Sequence, residues 1–350
     1  MRRTEDESST GSTASTRGRT VRVQARRRRH ALGTRRRETI RSSVAVFSPS
    51  PLLTITIEQG VNEIANIHLH AGGQGFWVAR MVARLAVPVT LCAPFGDDTG
   101  RVVRALIDAE GVTVRAIAVQ APNGAYVHDR RSGARVVVAE TPGGELDRHE
   151  VDDLYDATLV AGLAAGVMVL TGPAHPGTVP VELYRRLVVD LRANGCQVLA
   201  DLSGDALDAA LAGGIDLLKI SHEELLASGY ASADDPGSLL AGIDQLHEAG
   251  VRHVVVTRAA APALARINDT PYEIVVPSLE PADYRGSGDS FTAGLATGLA
   301  RGLDLEATLR LAAAAGALNV TRHGLGTGRR ADIEELSQHV AVRRLDGETP

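Results

Sequence analysis

ADYRGSGDSFTAGLATGLARG, residues 282–302, is the stretch on which the fold turns. Gly286, Ser287 and Gly288 stand directly before Asp289, and a run of small and apolar residues follows. The run reads as a helix. A helix start presents free backbone N–H groups and roughly half a positive charge. Glycines ahead of it let an anion approach the backbone closely. Asp289 then has two readings. It sits at the cap position and merely caps the helix, as Asp often does. Or it is the base that takes a hydroxyl proton beside an anion hole made of Gly286, Ser287 and Gly288, the pairing that phosphoryl transfer needs. These four residues do not decide between the two.

Working outward, apolar strands alternate with helical patterns. VMVLTG precedes VELYRRLVVDLRANG, QVLADLS precedes GDALDAALAGG, IDLLKIS precedes HEELLASG, and GSLLAGIDQLHEAG leads into HVVVTRA. This alternation predicts an α/β fold with a central, mostly parallel sheet and helices on both faces. VAVFS, from Val44, reads as a buried strand. LLTITIE and EIANIHLH alternate apolar and polar and read as strands with one wet face, and VRAIAV, GAYVHD and ARVVVAE read as further strands. Such half-polar strands between residues 52 and 140 do not suit the interior of a parallel sheet. They predict a small separate β-sheet, a lid drawn from about 52–70 and 123–140. The domain expected is 43–342, with 343–350 as a tail.

Charge is distributed unevenly. Residues 1–42 hold 13 Arg against 4 Asp and Glu, a net +9, so the rest of a chain of net −5 carries −14. The first segment is rich in Arg, Ser and Thr and nearly devoid of large apolar residues, which predicts a disordered extension. The acidic remainder argues against a nucleic-acid-binding body. Cys92 and Cys196 are too few and too far apart for a disulfide framework or a zinc site, and point to a reducing, cytoplasmic compartment. The longest apolar run, LVAGLAAGVMVLTG, falls short of the roughly 18 residues that span a bilayer and reads as a helix end entering a strand. Lys219 is the only lysine, against 36 arginines.

A second glycine cluster, HAGGQGFWVARMVARL, places Gly72, Gly73 and Gly75 between a strand and a helix. A dinucleotide fingerprint needs a buried strand before it, and IHLH alternates instead. No Walker A ending of Gly-Lys-Ser/Thr is present.

Together the two clusters resemble motifs of the PfkB branch of the ribokinase-like carbohydrate kinases. The family's Gly-Gly-x-Gly-x-Asn-x-Ala reads GGQGFWVA at 72–79, and its Gly-Ala-Gly-Asp reads GSGD at 286–289. FGDDTG (95–100), LLKISHEEL (217–225) and NVTRHG (319–324) resemble three further family segments in the right order. Within the family the resemblance is to the 1-phosphofructokinase and tagatose-6-phosphate kinase group. It implies an ATP- and Mg²⁺-dependent kinase acting on a hydroxyl of a sugar or sugar phosphate, with Asp289 as base. It also implies a β-lid that often mediates homodimers. By the same resemblance Lys219, Ser221, Glu224 and Thr257 lie on the nucleotide side, Glu224 holds Mg²⁺ through water, and Asp283 falls in a region that binds a monovalent cation in some relatives. Gly72, Gly73, Gln74, Trp77 and Thr54 fall on the sugar side. There this sequence departs from the family: Trp77 replaces an Asn, Gln74 a common Lys, and Thr54 an Asp. Trp77 either stacks on the sugar or fills a hole in the lid. On the nucleotide side Ser221 replaces an Asn, and TRAAAPAL (257–264) lacks the glycines of the usual loop. The altered loop leaves room for weak ATP binding or another donor, and for an alternative, a kinase-fold binding protein with little transfer.

Overall fold

The computed structural model describes residues 43–345 apart from residue 323; the N-terminal extension 1–42 and residues 346–350 lie outside the described residues. The first half contains β1 (Ser43–Phe47), β2 (Leu52–Gln59), β3 (Ala65–Gly72), α1 (Gln74–Arg84), β4 (Val89–Gly96), α2 (Asp97–Asp108), β5 (Thr113–Val119), β6 (Ala125–Asp129), β7 (Val136–Thr141), α3 (Arg148–Ala165), β8 (Gly166–Thr171) and α4 (Glu182–Ala193). The second contains β9 (Gln197–Asp201), α5 (Gly204–Leu211), β10 (Ile215–Ser221), α6 (His222–Ala227), α7 (Pro236–Glu248), β11 (Val251–Arg258), β12 (Ala261–Ile267), β13 (Thr270–Val275), α8 (Ser287–Arg301), α9 (Leu305–Val320), α10 (Arg330–Ser337) and β14 (Ala341–Arg344).

Ten strands form one sheet in the order β14-β13-β12-β11-β10-β9-β8-β1-β4-β5. From β11 to β5 every pairing is parallel, and β12, β13 and β14 extend one edge antiparallel. The period of two divides β1 between two cores. Val44 and Val46 enter the core covered by α1, α8 and α9, while Ala45 and Phe47 enter the one covered by α3, α4 and α7. A strand buried on both faces reads as a continuous apolar run, hence VAVF. The small residues of α8 have a packing reason. A Cβ on Gly294 would lie 2.4 Å from Ala312 Cα, so α8 and α9 meet nearly backbone to backbone.

A four-stranded sheet, β3-β2-β6-β7, forms the lid. Its strands alternate: Thr54, Thr56, His68, His70 and Tyr126 line a cleft, while Ile67 and Leu69 are exposed. VRAIAV, outside the lid bounds of 52–70 and 123–140, is β5 at the edge of the main sheet. One expectation needs correction: the fold continues past 342, because β14 pairs with β13 through Arg344. Its sequence, AVRR, is too short and polar to read as a strand by itself.

Candidate active site

The N-cap of α8 is Gly286, in the left-handed region at φ 69°, so Asp289 stands inside the first turn and not at the cap. No side chain caps this helix, and among the described residues the Asp289 carboxylate has no hydrogen-bond partner. The capping reading of Asp289 is therefore overturned. Glycine is required at 286 twice over: for its φ, and because a Cβ would lie 2.8 Å from Leu325 Cδ2. The first bond of the helix runs from Ser290 N–H to Gly286 O at 2.9 Å. The N–H groups of Ser287, Gly288 and Asp289 are left without an acceptor among the described residues, an arrangement that receives anions.

Beneath this turn lies a buried ion pair. Lys219, on β10, is in register with Asp201, at the end of β9. Its ammonium lies 3.1 Å from Asp201 Oδ1 and 3.4 Å from Oδ2. Thr292 on α8 donates to Asp201 Oδ2 at 2.6 Å, which ties α8 to the sheet. Lys219 and Asp201 are 5% and 2% exposed, so neither is the surface group that a lysine near a strand end suggests. Burial opposes the charge on Lys219, yet the carboxylates of Asp201, Glu224 and Asp289 outweigh it and hold its pKa above the ordinary lysine value. Burial pushes Asp289 up to about 7; the charge of Asp201 adds to the shift and Lys219 opposes it. A carboxylate with that proton affinity is suited to accept a proton near neutral pH.

A Cβ on Gly288 would stand 2.9 Å from Lys219 Nζ. Gly288→Val is therefore expected to push a side chain between the ammonium and the anion hole. Transfer activity should be lost while far-UV circular dichroism stays that of the parent; a fully active Gly288→Val protein contradicts this placement.

On one side of the turn, Thr257, Ala263, Ser287, Gly288, Phe291 and Gly316 line an apolar cavity of about 110 Å³. Ser221 and Glu224 form a capping box at the start of α6: Ser221 N–H and Oγ–H donate to Glu224 Oε2 at 2.9 and 2.8 Å, and Glu224 N–H donates to Ser221 Oγ at 3.2 Å. Glu224 Oε1 takes no part in these bonds, and the Glu224 charge is felt at Lys219.

On the other side, Gly72 and Gly73 join β3 to α1. Gly73 has φ 104°, and a Cβ there would lie 2.6 Å from Ser50 O. Gln74 spans two strand ends, its Oε1 accepting from Gly172 N–H at 3.0 Å and its Nε2 donating to Asp201 O at 3.5 Å. Under the lid, a cleft of about 380 Å³ is lined by Thr54, Trp77, Arg80, Tyr126, Arg135 and Arg285 among others. Thr54 is 9% exposed and its hydroxyl has no partner. Trp77 is 8% exposed, packs against Phe76 at 5.1 Å between ring centroids, and also forms a wall of the cleft; packing and lining are both true of it. Asp283, expected in a cation-binding region, accepts from the guanidinium of Arg285. Sequence reasoning missed Asp201, Thr292, Arg285 and Asn319. For Asp201 a signal existed: a polar residue ending an apolar strand at the carboxyl edge of a parallel sheet, where α/β proteins bind ligands.

Residues 49–332 match the pfkB family of carbohydrate kinases, and the chain belongs to that family. It is 27% identical over 274 residues to the ATP-dependent 6-phosphofructokinase isozyme 2 of Escherichia coli (strain K12), covering 77% of this chain and 88% of the relative. It is 28% identical over 272 residues to the enzyme of the same name from Mycobacterium tuberculosis (strain H37Rv), covering 77% and 80%. The crystal structure of phosphofructokinase-2 from Escherichia coli in complex with potassium superposes with a TM-score of 0.77 at 25% identity, over 85% of this chain and 98% of that one. The chain is thus a carbohydrate kinase by family, with the fold of the phosphofructokinase-2 structures. No described helix is long and apolar enough to cross a membrane.

Proposed function

We propose that the chain transfers the γ-phosphoryl group of ATP to a hydroxyl of a hexose phosphate, with Asp289 as the base. The observation that carries the proposal is the Asp289 carboxylate in the first turn of α8, unbonded among the described residues, beside three N–H groups without an acceptor there. In the reaction the sugar hydroxyl gives its proton to Asp289 as its oxygen bonds to the γ-phosphorus. The bond from that phosphorus to the β-phosphate oxygen breaks, and ADP leaves. The N–H groups of Ser287, Gly288 and Asp289 receive the charge on the moving phosphoryl oxygens. Lys219, 2.9 Å from where a Gly288 Cβ would stand, adds a positive charge behind that turn. No three metal-ligating side chains gather among the described residues, so Mg²⁺ would arrive on the nucleotide phosphates, whose oxygens it prefers. Glu224, through Oε1 and water, would hold the ion, which when bound neutralises phosphate charge. The apolar cavity beside Thr257 suits the nucleotide base, although its loop lacks glycine.

The cleft under the lid supports the choice of acceptor. Arg80, Arg130, Arg135 and Arg285 outnumber Glu58 and Asp283 there, a balance that favours an anionic sugar. Thr54 lines it from the lid, and Gly72, Gly73 and Gln74 form the turn into α1, the helix that carries the cleft-lining Trp77. The curated relatives are named for fructose phosphate chemistry, which points the same way. The outward face of the lid, with Ile67 64%, Leu69 46% and Val136 52% exposed, suits a second copy of the chain as a homodimer partner. Both cysteines are free and buried, in keeping with a cytoplasmic enzyme.

The test is ³¹P NMR of the protein with Mg-ATP and, in turn, fructose 6-phosphate, fructose 1-phosphate, tagatose 6-phosphate and the unphosphorylated sugars. A new phosphoester together with ADP from one hexose phosphate supports the proposal. Binding of both ligands in a thermal-shift assay without any transfer overturns it. Trp77→Asn is expected to raise the Michaelis constant for the sugar more than that for ATP, because Trp77 lines the cleft under the lid and not the apolar cavity. An unchanged substrate profile with a lowered melting temperature would leave Trp77 a packing residue only.

A further inference from the structure

FGDDTG, residues 95–100, takes no part in the proposed chemistry, and its surroundings give it another task. The chain crosses from the main sheet into the lid twice, at residues 48–51 between β1 and β2 and at 120–124 between β5 and β6. Both crossings meet at one side chain. Asn123, 7% exposed, donates through Nδ2 to Pro51 O at 2.8 Å and to Pro94 O at 3.1 Å, and its Oδ1 accepts from Gly96 N–H at 2.9 Å. Thr99 Oγ1 donates to Asn123 O at 2.8 Å. Pro94 and Gly96 belong to the end of β4, which lies between β1 and β5 in the main sheet. One amide therefore joins the two crossings to each other and to the sheet.

Both hydrogens of Nδ2 are used, and a planar amide offers two donors and an acceptor at once. FGDDTG makes room for it. A Cβ on Gly100 would lie 2.5 Å from Asn123 Oδ1, and one on Gly96 would lie 2.1 Å from Ala121 O. Asp97, between them, stands in the left-handed region at φ 54°, a conformation that a non-glycine residue keeps where its surroundings over-determine it. The lid side chains over the acceptor cleft follow directly from this clamp. Thr54 comes shortly after Pro51 and Tyr126 shortly after Asn123; the two are partners in the β2–β6 ladder, and both line the cleft. Leu53 N–H donates to Gly124 O at 2.9 Å, so the two strands leave the clamp already paired. Asn123 also borders a cavity of about 230 Å³, with Pro49, Leu52, Pro94 and Leu146 among its walls. Without the amide the crossings have that space to shift into.

We propose that Asn123 is a positioning residue for the acceptor: it fixes the angle at which the lid leaves the main sheet and so sets Thr54 and Tyr126 over the cleft. The proposal rests on the kinase reading for its kinetic arm; the exchange arm stands without it.

The test is Asn123→Ala, studied by steady-state kinetics with Mg-ATP and each of the three hexose phosphates, and by hydrogen–deuterium exchange of the ligand-free protein. The Michaelis constant for the acceptor is expected to rise about tenfold, the effect of losing one or two buried hydrogen bonds from the placement of the lid. The turnover number and the Michaelis constant for Mg-ATP should stay within about twofold of the parent, because Asp289, the anion hole and the apolar cavity lie outside the lid. Exchange should quicken in β2, β3 and β6 and stay parental in β8, β9 and β10. Exchange that quickens as much in the main sheet as in the lid makes Asn123 a general stability residue and overturns the proposal. A parental Michaelis constant for the acceptor overturns it as well. Absence of transfer by the parent counts against the kinase reading, and exchange then decides on the clamp. If Asn123→Ala does not fold, Thr99→Val, which keeps the amide and removes one bond to Asn123 O, carries the same test. Quickened exchange confined to the lid supports the clamp, and parental exchange there overturns it.

Discussion

Asp289→Asn slows the chemical step by about 10²–10⁴-fold, the usual worth of a positioned general base. The amide keeps the size of the carboxylate and loses only the ability to accept the sugar's proton. Mg-ATP affinity should change little, because the backbone N–H groups of the anion hole remain. The expected effect on stability is of opposite sign to that of most active-site substitutions. The pKa of Asp289 rises from its ordinary 3.8 to about 7 in the fold. A raised carboxyl pKa means that the folded state disfavours the ionised form. Its ionisation therefore costs stability progressively as pH rises from about 4 to about 7, and the whole cost is present above that. Asn does not ionise. The variant should match the parent in melting temperature near pH 4 and exceed it at pH 8. Single-turnover transfer measured beside melts at the two pH values checks both parts. Near-parental transfer with an earlier melt would make Asp289 a structural residue.

Lys219→Met is expected to be the most destabilising single change at the site, by about 3–5 kcal/mol, because it leaves the Asp201 carboxylate buried without its cation. Restoring charge balance should recover most of that loss. In Lys219→Met/Asp201→Asn no ion is stranded, and the amide can still accept from Thr292. Urea unfolding should place the double variant near the parent, while transfer remains deficient in both because the charge behind the anion hole is gone. If Lys219→Met unfolds at the parental urea concentration, the pair is not the support inferred from its geometry.

The glycine turns were legible because a helix N-terminus is a local feature: GSGD and GGQG place free N–H groups by sequence alone. The alternation of strand and helix after residue 166 was legible for the same reason, as each parallel strand buried on both faces writes a continuous apolar run. Other features depend on what lies across the sheet. Asp201 matters because strand register sets it opposite Lys219. VRAIAV, at the edge of the main sheet, carries the half-polar pattern that a lid strand also shows, because both positions leave one face wet. The hairpin of β12 and β13 carries a turn signal, Asn268-Asp269, with Asn268 at φ 53°, that could have been read. Capping by Asp289 was a fair expectation from the residue type, but glycine at 286 moves the helix start three residues earlier and leaves the carboxylate unbonded. The capping box Ser221-x-x-Glu224 was also readable, as a helix-start signature in its own right.

The central claim is that Asp289 is the proton acceptor in phosphoryl transfer. The most direct measurement is the pH dependence of the single-turnover rate, for the parent and for Asp289→Asn, with the acceptor that the ³¹P experiment identifies. For the parent the rate should fall about tenfold per pH unit below a bend near 7, where Asp289 becomes protonated. For Asp289→Asn the residual rate should show no such bend. A parent profile flat from pH 5 to 8, or a bend that survives in Asp289→Asn, would contradict the account.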